Sequence, residues 1–169
     1  IIPTAVFLIP AVSFAPAAET PEAAARDLLE EAGVRGGLVV HAGCGDGALT
    51  AALGKAGPYL VQGLDPDRED VEKARARIRS AGGYGPVAAD LLRGGRLPCT
   101  DGLVNLVVRE EPGIVSDAEV MRVLCPGGVA MTRDGGGWKK TVKPIPDTID
   151  DWPHALYGPD NNAVSGDTA

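Results

Sequence analysis

Gly37-Leu38-Val39-Val40-His41-Ala42-Gly43-Cys44-Gly45-Asp46-Gly47 passes from a short apolar run into a turn with glycine at every second position, and Ala48 to Lys55 follows with helical composition. An uninterrupted apolar run bounded by glycine is the pattern of a buried parallel strand, so this stretch predicts strand, tight turn, helix. Glycine at 43, 45 and 47 permits a left-handed backbone and a close approach by a ligand. The start of the next helix offers N–H groups and a positive dipole end to an electron-rich partner.

Working outward, the segments alternate between the two periodicities. Thr20-Pro21-Glu22-Ala23 opens a helix, with Thr as cap, Pro in the first turn and Ala25, Leu28, Leu29 and Ala32 on one face; Gly33 ends it. Tyr59 to Leu64 predicts a second strand closed by Asp65. A helix from Pro66-Asp67 to Arg79 places Val71, Ala74 and Ile78 at helical spacing. Pro86 to Ala89 predicts a short third strand ending at Asp90. About a dozen residues then lead to a fourth strand, Leu103 to Val108, which suits a right-handed loop crossover better than a full helix. Ser116 or Asp117 caps a helix to Leu124, Pro126-Gly127-Gly128 breaks it, and Val129 to Thr132 predicts a fifth strand. Asp134 to Gly137 reads as a hairpin turn into an antiparallel strand, Trp138 to Lys143. Strands alternating with helices predict an α/β fold with a mostly parallel sheet.

Composition narrows the function classes. The chain has 169 residues, enough for one compact domain, and a formal net charge of -7, which argues against a nucleic-acid partner because phosphate binding needs a basic face. The mixed run Asp65 to Arg79 reads as a solvated helix face. Cys44, Cys99 and Cys125 lack the spacing of a zinc site, and an odd count argues against a disulfide framework. Residues 1–18 are apolar, rich in alanine and interrupted by proline. Their composition and small-residue contexts such as Ala15-Pro16-Ala17 predict the remnant of an export signal or an apolar arm, and not a stable membrane span. An exported protein of the periplasm or cell envelope is therefore expected, with a cytoplasmic one as the alternative. From Pro144 onward prolines and acids predict a linker or the entry to a following domain.

The glycine turn fits two fingerprints. Gly43, Gly45 and Ala48 satisfy the dinucleotide pattern G-x-G-x-x-G/A, while Gly43, Gly45 and Gly47 satisfy the G-x-G-x-G loop of class I S-adenosylmethionine (SAM) methyltransferases. Three further motifs follow in order: an acid closing the second strand, Asp65; Leu97-Pro98-Cys99-Thr100-Asp101 before the fourth strand; and Leu124-Cys125-Pro126-Gly127-Gly128 before the fifth. Over residues 20–133 the chain thus resembles the class I methyltransferases, in the manner of their type 11 group. The resemblance implies a Rossmann-like fold, SAM as cofactor and methyl transfer to an acceptor the sequence does not name. It implies that the turn with Gly43, Cys44, Gly45 and Gly47 faces the cofactor, that Asp65 accepts from the ribose hydroxyls and that Asp90 faces the adenine amino group.

Two positions depart from that pattern. His41 stands where such proteins carry an acid, and an imidazole cannot replace a carboxylate as acceptor for the cofactor's ammonium group; Asn105 stands where the fourth strand often begins with Asp. At the end of that strand the chain has Arg109-Glu110-Glu111-Pro112. Arg109 joins the candidate cofactor contacts there, and Glu110 is by position the candidate base. The alternative to an enzyme is a noncatalytic module that retains the fold to bind a partner. Trp138 to Pro144, Asp151-Trp152-Pro153-His154 and Gly158 to Val164 also resemble the junction at which a methyltransferase-like domain precedes a PQQ-type β-propeller in exported bacterial proteins. That would make residues 20–143 the first domain of a longer protein, residues 144–169 its linker, and the propeller its partner. Because few residues follow Thr132 and many of them are proline, glycine or acid, the sheet is expected to be incomplete, with one strand after the fifth and that strand's outer edge blunted by Lys139, Lys140 and Lys143.

Overall fold

The structure, a computed structural model, describes residues 20–147. The expected export segment, residues 1–18, and the propeller-junction motifs from Asp151 to Val164 lie outside the described residues. Ten elements follow one another: α1 (Pro21–Ala32), β1 (Gly37–Ala42), α2 (Ala48–Lys55), β2 (Tyr59–Asp65), α3 (Arg68–Ser80), β3 (Val87–Leu91), β4 (Val104–Arg109), α4 (Asp117–Val123), β5 (Leu124–Asp134) and β6 (Gly137–Val142). The strands form one open sheet in the order β3-β2-β1-β4-β5-β6, parallel except for β6, which runs antiparallel to β5. It is a Rossmann-like α/β fold, and the strand order reverses direction between β1 and β4. In such sheets that reversal leaves a crevice at the carboxyl ends of the two strands.

Local chemistry sets the element ends. Thr20 Oγ1 accepts from Ala23 N–H at the start of α1, and Gly33, left-handed at φ 74°, returns its N–H to the carbonyls of Leu29 and Glu30. Asp67 and Ser116 cap α3 and α4 in the same way, so α3 begins at Arg68, just past Pro66. Gly135 and Gly136 supply the two positive φ angles of the β5–β6 hairpin.

Two apolar layers sandwich the sheet. On one face α1, α2 and α3 bury Leu28, Leu53, Ala74 and Ile78 against Val39, Val61, Leu106 and Val108. On the other, Val40, Leu64 and Val107 meet α4 and the β3–β4 connection through Leu92, Leu97 and Val120. That connection has no helix of its own, as its length predicts. It is fastened by Arg122, which donates to the carbonyls of Leu97 and Cys99 and to Asp101, while Glu119 accepts from Leu97 N–H at 2.8 Å. The Arg122 guanidinium and the Leu97 amide together hold the Glu119 carboxyl well below the usual range, at about 2.

Two details differ from the sequence expectation. β5 starts at Leu124, which pairs with Val104. The Pro126-Gly127-Gly128 turn is a bulge within the strand before pairing resumes at Leu106 and Val129. Of the three lysines expected to blunt the β6 edge, two are tied back onto the chain: Lys140, itself exposed, donates from Nζ to the Glu31 carbonyl near the end of α1, and Lys143 Nζ donates to the Leu124 carbonyl. No helix among the described residues is long and apolar enough to cross a membrane.

Candidate functional site

The turn after β1 lies at the carboxyl edge of the sheet, where β1 is flanked by β2 and β4. Gly43, Gly45 and Gly47 all have positive φ, but for different reasons. A Cβ on Gly47 would sit 2.7 Å from the Cα and Cβ of Ala74, so this glycine admits α3. A Cβ on Gly43 would meet Ile114 Cδ1 at 3.3 Å and Glu110 Cβ at 3.5 Å. One on Gly45 would have nothing within 4 Å, which makes Gly45 the open face of the turn. Cys44 turns inward onto Gly63, and burial pushes its thiol up to about 12, with Asp65 adding to the effect. Only its backbone remains to meet a ligand, and it is not a nucleophile at neutral pH.

The turn's hydrogen bonds favour one fingerprint over the other. The N–H groups of Gly43 and Cys44 donate to the Leu64 carbonyl, Gly45 N–H to Asp65 Oδ2, Gly47 N–H to the Cys44 carbonyl and Ala48 N–H to Asp46 Oδ1. A pyrophosphate needs such groups turned toward it, and here five are engaged within the chain. The Asp46 carboxylate itself caps the helix start and is paired with Arg77 at 2.5 Å. The turn is therefore suited to a ligand that passes over it without presenting phosphate.

Asp65, only 6% exposed, is the last residue of β2. Its Oδ2 accepts from Gly45 N–H and its Oδ1 from Asp67 N–H, both at 2.9 Å. The carboxylate thereby fixes the glycine turn relative to β2, and each oxygen keeps a second lone pair. Asp90 stands one strand further out, side chain 65% exposed, with Oδ1 accepting from Leu91 N–H and Arg75 Nη2. Arg75 also donates to the Ala89 carbonyl and to Glu72, and an opening of about 220 Å³ lies beside Asp90, Arg68 and Arg93.

His41 is completely enclosed beneath the first turn of α2. Its Nδ1 lies 2.8 Å from Thr50 Oγ1, and its Nε2 is buried without a hydrogen-bond partner, 3.6 Å from Glu110 Oε1. The Glu110 N–H donates to the Ala42 carbonyl, extending the β1–β4 pairing by one residue and setting the Glu110 side chain over Gly43. Its Oε2 accepts from Arg133 Nε at 3.3 Å, and Arg133 stacks on the Trp138 ring at 4.2 Å. His41 and, more weakly, Arg133 hold the Glu110 carboxyl below the ordinary range against the opposing effect of burial. A carboxylate so held is a weak base, which counts against the proton-abstracting role suggested by its position.

The remaining candidates point elsewhere. Arg109 is buried on the α4 face, where it donates to Thr132 Oγ1, to the Val115 carbonyl and to Asp117; it ties β4 to β5 and lines a trough of about 450 Å³ with Val120 and Lys139. Asn105 lies near the amino end of β4, at the opposite edge of the sheet, with Oδ1 accepting from Leu38 N–H and filling the space beside Gly37. Its replacement of an acid is a strand-pairing matter. Sequence reasoning missed Thr50, Ile114 and Arg133, which surround the turn. The strand register was the available signal: Ala42, Arg109 and Thr132 are aligned across β1, β4 and β5, so residues 43, 110 and 133 must meet one step further on. Among the described residues no cluster of metal-ligating side chains occurs.

Comparison with known proteins agrees with this geometry. The family described as a methyltransferase domain matches residues 39–128, more than half of the chain. Among solved structures, a Methanococcus maripaludis protein assigned as an S-adenosyl-L-methionine-dependent methyltransferase is similar over 70% of this chain and 56% of its own, at 25% identity and a TM-score of 0.61. A geranyl diphosphate methyltransferase in complex with SAM is similar over 66% of this chain and 48% of its own, at 27% identity and a TM-score of 0.59. The geranyl diphosphate C-methyltransferase of Streptomyces coelicolor, in complex with S-adenosyl-L-homocysteine, matches 65% of this chain and 44% of its own at 23% identity, with a TM-score of 0.59. The chain thus spans about half the length of these three. No curated protein matches it.

Proposed function

The chain belongs to the methyltransferase domain family, and from that membership we propose that it binds SAM across the glycine turn and transfers its methyl group to an acceptor. The observation that carries the reading is the turn itself. Its open face at Gly45 gives a ligand room to approach the backbone, and its internally bonded N–H groups suit a nucleoside without phosphate. Asp65 stands beside that face with unused lone pairs, as a ribose acceptor requires. The residues present fit the group.

When bound, SAM supplies a methyl group on a positively charged sulfur. The chain's contribution is placement. Asp65 would hold the ribose and the turn from Gly43 to Gly47 would pass beneath the nucleoside, while Asp90 offers its outer oxygen to the adenine edge. Fixing both partners in line can lower the barrier by several kcal/mol without a base. A fixed negative charge at Glu110 complements a cationic ligand rather than removing a proton.

Thermal unfolding with added ligand tests the proposal. A ligand that binds only the native state at about 100 times its Kd adds about 2.7 kcal/mol, so S-adenosylhomocysteine at millimolar concentration should raise Tm by several degrees. Neither NAD nor NADP should do so. No shift with SAM or S-adenosylhomocysteine, or an equal shift with a dinucleotide, refutes it.

A further inference from the structure

Replacing the usual acid by His41 removes an acceptor for the ligand's ammonium from β1, yet a carboxylate stands beside the imidazole. Glu110 arrives from β4, on the same face of the sheet as His41, because the Ala42–Arg109 register places residues 43 and 110 side by side. Its Cβ lies 3.5 Å from the point where a side chain on Gly43 would begin, so the carboxyl group hangs over the first glycine of the turn. It is not saturated: Oε1 faces His41 Nε2 at 3.6 Å, beyond hydrogen-bond distance, Oε2 accepts from Arg133 at 3.3 Å, and the side chain remains 29% exposed.

The imidazole is built to hold that carboxylate. His41 is 1% exposed, and among the described residues its Nε2 is the one buried side-chain polar atom without a hydrogen bond. A carboxylate oxygen opposite Nε2 favours the tautomer with hydrogen on that nitrogen. Nδ1 is then free to accept from the Thr50 hydroxyl at 2.8 Å, and Thr50 is itself fully buried on α2. A buried ring nitrogen held 3.6 Å from a half-open acid is costly, because neither group is fully satisfied, and an unsatisfied buried group of this kind points to a ligand site. Ordinary core packing would have placed an apolar side chain here, as Val39 and Val108 do one step below.

We propose that Glu110 is the carboxylate that receives the ammonium group of the aminoacyl arm of the bound ligand, with His41 as its positioning residue. The acid of this subsite has moved from β1 to the end of β4, and His41 orients it across the strand gap. This inference rests on the SAM reading above, and two ligands separate its failure from the failure of that reading. S-adenosylhomocysteine carries the aminoacyl arm; 5′-methylthioadenosine keeps the nucleoside and the thioether and lacks the ammonium.

Calorimetric titration of the full chain with both ligands is the test, with thermal melting of each variant as the folding control. Glu110→Gln should weaken S-adenosylhomocysteine about tenfold to a hundredfold, the worth of one charge-assisted bond, and leave methylthioadenosine within about twofold. His41→Leu should lower the preference for S-adenosylhomocysteine over methylthioadenosine in the same direction, and His41→Gln, which keeps an N–H toward Glu110, should restore much of it. Equal weakening of both ligands by Glu110→Gln, or no weakening of either, overturns the assignment of Glu110. A His41→Gln variant no better than His41→Leu, both melting like the wild type, overturns the positioning role. Wild-type protein that binds neither ligand overturns the cofactor reading and this inference with it.

Discussion

Asp65→Ala should damage the protein before any ligand is added. The Asp65 carboxylate accepts two backbone N–H groups, of Gly45 and Asp67, each at 2.9 Å, and is only 6% exposed. Hydrogen bonds to a charged group are worth about 1.5 to 3 kcal/mol each. Asp67 is exposed, so its N–H can turn to water once the acid is gone, whereas the Gly45 N–H is partly enclosed by the turn and recovers less. The net loss should be about 2 to 4 kcal/mol, which for a domain of this size lowers Tm by roughly 6 to 15 °C. Asp65→Asn should fall between, since its amide can accept one of the two N–H groups and would turn donors toward the other. Asp90→Ala should cost no more than about 0.5 kcal/mol, because its side chain is 65% exposed and Arg75 keeps Glu72 and the Ala89 carbonyl. Urea and thermal unfolding of the four proteins without ligand decide the matter. The reasoning fails if Asp65→Ala melts within about 2 °C of the wild type, or if Asp90→Ala loses as much. A loss of ligand affinity in Asp65→Ala is evidence of ribose binding only for the part that exceeds this loss of fold.

The glycines of the turn should separate into two kinds. Gly47→Ala should cost about 2 to 4 kcal/mol, since its Cβ would lie 2.7 Å from the Ala74 backbone at φ 76°; Gly45→Ala, with open space around it, should cost about 1 kcal/mol and weaken S-adenosylhomocysteine more than tenfold. Equal stability losses in the two variants would refute that division. The Glu119 carboxyl is depressed from 4.5 to about 2 in the folded protein, so its contribution is complete above pH 4.5 and disappears as the pH falls through about 2. Glu119→Gln should therefore be less stable than the wild type at pH 7, and the two stability curves should converge across that acid window; parallel curves would show that the pairs of Glu119 with Arg122 and Leu97 contribute nothing.

The order of elements was legible because each has its own punctuation: Thr20-Pro21 and Gly33 around α1, the glycine turn after β1, Gly135-Gly136 in the hairpin. Asp65 was legible as an acid at a strand end, but not its grip on Gly45, which depends on how far the turn folds back over β2. His41 could be seen as a departure, but its position beside Glu110 could not. No sequence spacing links positions 41, 110 and 133, and only the register of three adjacent strands brings them together. Arg109 was misleading for a simple reason: alternation along β4 sends it and Glu110 to opposite faces of the sheet, so the neighbouring residue occupies the turn while Arg109 closes the α4 side.

The strand order also imposes a schedule on synthesis. β1, β2 and β3 stack outward in the order in which a ribosome releases them, so residues 37–91 can pair as they emerge, and the bond from Gly45 to Asp65 belongs to this early half. The other edge of β1 must wait for β4, with Val39 facing Leu106 only after the long crossover has been made, and such non-local parallel pairing is slow. Glu110 comes with that second half and Arg133 after it. α1, the first described helix to be made, receives Lys140 at its Glu31 carbonyl last, across 109 residues. A nascent chain would thus own the Gly45–Asp65 side of its crevice before it possesses Glu110 on the other side, leaving β1 an exposed apolar edge for a chaperone to shield in the interval.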